Sequence, residues 1–181
     1  MLREKFREYT RQVISLLKWT GILLTLIVCT LFGYVASHKL SLRVEELKKF
    51  LHFLSSVKTE IRYLALPPDR ILEKHKDEMD FLKRCSERLC GGETDFPKIW
   101  EEELQISAKR MGLRPVDMNL IKSFGMEFGT TDLEGQLSKC ELYEQLLTQN
   151  LEQARTEQKE KANLYQMLGV FGGLATVLLI C

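Results

Sequence analysis

The sequence predicts an all-α protein, a cytosolic helical bundle between an N-terminal and a C-terminal transmembrane helix. Three observations carry this. Two stretches contain no charged residue, 19–37 near the amino end and 162–181 at the carboxyl end. Between them, apolar residues recur at heptad spacing. Nowhere do they alternate with period two over the length of a strand.

Each charge-free stretch is about 19 or 20 residues long. At about 1.5 Å per residue this matches a hydrocarbon core of roughly 30 Å. The expected division is a basic tail over 1–12, a first span over 13–37, a bundle domain over 38–163 and a second span over 164–181. "YVASHK" places small residues near a plausible signal-peptidase cut, but the run before it exceeds the usual h-region of about 7–15 residues. The first span is therefore expected to be an uncleaved anchor.

After Ser37 the helical pattern continues. Leu40, Val44, Leu47, Leu51, Leu54 and Ile61 keep heptad spacing, and Lys58 takes the one skipped position. Phe50, Phe53 and Val57 widen the apolar face, and Pro67-Pro68 stops the helix near Leu66. "DRILEKHKDEMDFLKRCSERL" reads as one further amphipathic helix ending at Gly91-Gly92. A third helix starts at Thr94 or Asp95, carries Pro97 in its first turn and stops at Gly112. Pro115 opens a short helix that Gly125 and Gly129 loosen. The spacing of Thr131 and Glu134 predicts a capping box for the last helix. Its heptad residues Leu133, Leu137, Cys140, Leu147, Leu151 and Ala154 are interrupted by Glu144.

Composition narrows the function. Lys and Arg number 26 against 25 Asp and Glu, a net charge of +1, so nothing marks a nucleic-acid surface. Of the five cysteines (Cys29, Cys85, Cys90, Cys140 and Cys181), the pair in "CSERLC" fits neither a redox nor a zinc spacing. Free thiols point the bundle toward a reducing cytosol. The three histidines match no metal motif, and His75 with Asp77 and Glu78 reads as a solvated helix face. There is no phosphate-binding loop and no nucleophile elbow. The expectation is a protein that is not an enzyme and takes no metal or cofactor. Trp100, with Ile99, Leu104 and Ala108 at helical spacing, reads as core. Gly169 and Gly173 form a GxxxG through which another helix can approach.

The motifs in order carry a resemblance. "EIRYLALPP" at Glu60–Pro68, a central Trp100, "FGMEFGTTDLEGQ", then Leu146, Leu147 and Ala154, and a terminal "LYQMLGVFGGLATVLLI" together resemble the stage III sporulation protein AB family. The likeness runs from about residue 14 to residue 181. Phe128 stands where that family usually has leucine, and the family tends to begin almost at its first span. The resemblance implies a membrane protein of endospore-forming bacteria, acting in the mother cell within a channel or secretion-like complex linking mother cell and forespore. Other stage III sporulation membrane proteins are the implied partners. The soluble part is similar to the F-type membrane platform of type II secretion, which implies a cytosolic secretion-type ATPase as a further partner. The positions marked for partner contact or helix packing are Glu60, Tyr63, Gly125, Gly129, Asp132, Gln136, Gly169 and Gly173. A membrane-anchored sensor or regulator, binding a small ligand in the helical domain, is the rival reading.

Two spans put both termini on one side. The positive-inside rule favours a cytosolic bundle through Lys39, Arg43, Lys48, Lys49, Arg155, Lys159 and Lys161, yet Arg3, Lys5, Arg7 and Arg11 oppose it. A translation start at position 13 removes that conflict.

Overall fold

The computed structural model describes the backbone of residues 2–64 and 66–180, and every regular element among them is helical. In order these are α1 (Leu2–Leu64), α2 (Pro68–His75), α3 (Asp80–Cys90), α4 (Phe96–Met111), α5 (Pro115–Glu127) and α6 (Leu133–Ile180). Two compact units emerge, Met1–His38 with Lys159–Cys181 in one and Lys39–Gln158 in the other. In the first, most side chains of the two apolar runs, and Gly169 and Gly173, lie outside the described residues. Among the described residues no helix is long and apolar enough to cross a membrane. The spans expected over 13–37 and 164–181 fall on that undescribed part.

The second unit is a helical bundle framed by α1 and α6. The two run antiparallel. Gln158 donates to Ser41 Oγ at 2.9 Å, Arg43 meets Glu157 at 3.2 Å, Lys58 meets Glu144 at 2.7 Å and Arg62 meets Glu141 at 3.8 Å. Lys58 and Glu144 are the residues that interrupt the heptads of their respective helices, and they interrupt them opposite each other. A cation and an anion within reach share a position that either alone would spoil. The frame has a root, around Lys39–Arg43 and Ala154–Gln158, and a tip, where α1 ends and α6 begins.

The apolar face of α1 is buried along Val44, Leu47, Phe50, Phe53, Leu54, Val57 and Ile61. From α6 it meets Cys140, Tyr143, Leu147, Leu151 and Ala154, and the shorter helices close the core with Ile71, Leu72, Phe81, Leu82, Trp100, Leu104, Ile121 and Phe124. Full burial of each such side chain contributes about 1.5–3 kcal/mol before chain entropy is set against it.

The local signals succeed at α4. Asp95 accepts from the Lys98 amide at 3.3 Å, and Gly112 ends the helix in the left-handed region at φ 64°. Two expectations need correction. The stretch from Asp69 to Leu89 is two helices, broken at Lys76–Met79. A single straight helix would spread Ile71, Leu72, Phe81, Leu82 and Cys85 over about half its circumference. The break lets α2 and α3 turn separate faces inward. The last helix is capped by Asp132, not Thr131. The Asp132 carboxylate accepts from the Gly135 amide at 3.1 Å, and its carbonyl accepts from the Gln136 amide at 2.9 Å.

Candidate functional site

Trp100 organises the middle of the bundle. It is fully buried, its ring stands edge-on to Phe81 at 5.0 Å and 85°, and Phe50, Phe53, Phe96 and Phe124 lie within 6.5 Å. Its indole Nε1–H donates to the Ile121 carbonyl at 2.9 Å, so the polar handle of a buried aromatic is answered. The ring reaches that place through Gly125, where a Cβ would stand 2.2 Å from the indole. Gly125 is therefore a notch for Trp100, correcting the expectation that it loosens α5.

Toward the tip, Gly129 adopts φ 78°, and a Cβ there would stand 2.6 Å from Pro68 Cγ. The turn between α5 and α6 thus lies on the start of α2, where only glycine permits both the left-handed backbone and the close approach. Asp132 caps α6, and Gln136 reaches back to the Thr131 carbonyl at 2.8 Å. Gln136 also lines a shallow dimple with Phe124, Glu127, Phe128, Lys139 and Cys140. That dimple has room for about one water molecule.

Glu60 and Tyr63 part company. Glu60 is buried, and its Oε1 is shared by Lys74 and by His75 Nε2 at 3.1 Å. Burial disfavours its charge, but the hydrogen bonds from Lys74 and His75 outweigh it and hold the carboxyl below its usual range. His75 is nearly covered, with Nδ1 2.6 Å from Glu78 and its ring edge-on to Phe53. It is a bridge between two carboxylates, which corrects its reading as a solvated face. Tyr63, by contrast, is 76% exposed, and Leu64 beside it is 57% exposed. Leu133, the first residue of α6, and Met126 near the end of α5 add apolar surface at the same end.

The root holds a constellation that the sequence did not announce. Arg43 on α1 and Asp117 on α5 are both buried, and the guanidinium grips the carboxylate with two hydrogen bonds, 2.7 and 3.0 Å. Asn150 of α6 donates to the same carboxylate at 2.9 Å, and the Arg114 amide does so as well, also at 2.9 Å. Glu157 then joins Arg43 to Arg114. Three helices meet at one carboxylate. Only the proximity of Pro115 and Asp117 at a helix start hinted at it, since Arg43, Asp117 and Asn150 are far apart in the chain.

Cys85 and Cys140 are buried free thiols, pushed up by burial to about 12 and about 11. Both are protonated at neutral pH and unsuited to nucleophilic attack. Burial, the Glu127 charge and a 3.2 Å hydrogen bond to Glu127 raise the Tyr143 hydroxyl above its usual value.

The family model of stage III sporulation protein AB matches residues 18–181. The chain belongs to this family. Comparison with curated proteins and with solved structures returned no match. Membership gives the protein a role in sporulation, and it groups the residues above. In this stage III sporulation protein AB family member, Trp100, Gly125 and Gly129 build the bundle, and Asp132 and Gln136 start its last helix. Of the marked positions that are described, Tyr63 is left facing outward.

Proposed function

We propose that the protein is a non-enzymatic membrane component of the sporulation channel, a secretion-like complex between mother cell and forespore, whose bundle docks protein partners. In this reading 13–37 and 164–181 cross the cell membrane and the bundle faces the mother-cell cytosol. Other stage III sporulation membrane proteins meet it within and beside the bilayer. A secretion-type ATPase meets the tip.

The observation that carries this reading is the exposed apolar surface at the tip. From Lys39 to Leu64, α1 extends roughly 40 Å at 1.5 Å per residue, so Tyr63 and Leu64 lie at the end of the bundle away from Lys39. Large apolar side chains held at the far end of a rigid helix suit a binding surface better than a solvated one. The interior polar groups, meanwhile, are largely answered by one another, as Arg43, Asp117 and Asn150 are.

Affinity purification of the intact protein from sporulating membranes tests the proposal. Stage III sporulation membrane proteins and a secretion-type ATPase are expected to co-purify. Recovery of the intact protein from sporulating membranes with none of them would contradict it.

A further inference from the structure

We infer that the loop joining α4 to α5 is a second membrane contact, one that seats the root of the bundle on anionic lipid headgroups. The inference rests on the two-span reading above, which brings Lys39 to the bilayer surface.

The fold carries the loop to that level. Gly112 packs so tightly on α1 that a Cβ would stand 3.1 Å from the Lys39 carbonyl oxygen and 3.4 Å from Leu42 Cβ. Its φ of 64° turns the chain there, and Asp117 fastens the start of α5 to Arg43. The loop is thus pinned on two sides to the first turns of the bundle, some seventy residues away in sequence.

What the loop presents suits an interface between water and lipid. Val116 is 61% exposed at its far edge, and Leu113 is partly exposed within it. Lys109 and Arg110, in the last turn of α4, are exposed and engage no ion-pair partner among the described residues. Ile106, 59% exposed, lies one turn earlier on their face of the helix. The two carboxylates that fasten the loop to the root, Asp117 and Glu157, are already engaged. Asp117 is buried on Arg43 and Asn150, and Glu157 is held by Arg43 and Arg114. Exposed apolar side chains flanked by uncompensated cations are the pattern of a surface drawn to anionic headgroups, which then shelter the apolar groups at the acyl boundary. The tip carries apolar residues too, but Arg62 and Lys74 there are paired with Glu141 and Glu60.

The test uses the full chain in nanodiscs, with an environment-sensitive fluorescent amino acid placed singly at position 116, 63 or 24. Quenching by a lipid spin-labelled in its headgroup is the readout. In discs containing phosphatidylglycerol the probe at 116 is expected to be quenched severalfold more than the probe at 63. Replacing phosphatidylglycerol by phosphatidylcholine, or introducing K109E with R110E, should remove most of that difference while the helical circular dichroism is retained. Equal quenching at 116 and 63, with the probe at 24 quenched by an acyl-chain label, overturns the lipid contact and leaves the two-span reading standing. If the probe at 24 escapes the acyl-chain label, the two-span reading fails and the lipid contact fails with it. Strong quenching at 116 that ignores both lipid charge and the charge reversals overturns the role of the anionic headgroup.

Discussion

The middle of the bundle and its root hold helices together by opposite means. Around Trp100, five phenylalanines and a glycine notch exclude water, and a single hydrogen bond answers the indole. At the root, a buried arginine, aspartate and asparagine are fastened by directed bonds across three helices. Non-directional burial tolerates small shifts but demands volume. A buried ion pair adds little net stability over an apolar pair of similar shape, yet its loss on one side is severe. The middle is therefore the source of stability. The root fixes how α1, α5 and α6 stand relative to one another.

The largest break in this comparison is Trp100→Ala. Removing the central ring should cost about 3–5 kcal/mol in urea unfolding followed by circular dichroism. A change below about 1 kcal/mol would mean that the ring is not the keystone.

The root breaks differently. Asp117→Ala leaves the buried Arg43 with Glu157 as its remaining carboxylate partner and should cost roughly 3 kcal/mol. The paired change Arg43→Met with Asp117→Leu should recover most of that loss. If the pair is as unstable as the single variant, the clamp contributes stability outright and the contrast with the middle disappears.

Gly125→Ala sharpens the other side. Its methyl would collide with the indole, and overpacking of this kind costs about 1–3 kcal/mol. In a Trp100→Ala background the same methyl has space, so the cost should shrink or reverse. The smallest effect separates two adjacent residues. Asp132→Ala should cost about 1 kcal/mol and Thr131→Ala only a few tenths, since Asp132 accepts the Gly135 amide.

These contrasts also show what could be read in advance. The α4 boundaries, the core place of Trp100 and the burial of the α1 face follow from local spacing and caps, because each depends on neighbours within a turn or two. The Thr131 cap misled by one residue because both Thr131 and Asp132 can accept an amide. The break inside 69–89 escaped because its apolar period is compatible with one helix; the decision lies in how α2 and α3 pack. The Arg43–Asp117–Asn150 clamp was illegible, since no local pattern joins residues separated by 74 and 33 positions. Lys58 and Glu144 were visible as interruptions, and their meaning came only when the helices were set side by side.

The candidate site divides in the same way. Gly125, Gly129, Asp132 and Gln136 carry family motifs because the fold needs them, a notch, a left-handed turn and two caps. Tyr63 has no such structural duty. It stands exposed at the end of α1, and the docking proposal bears most heavily on it.

The most direct test is therefore a photo-cross-linking amino acid at position 63, introduced into the full chain in sporulating cells, with the adduct identified by mass spectrometry. The account predicts a protein adduct containing a secretion-type ATPase. A variant that supports normal sporulation and yields no protein adduct at position 63 would contradict it.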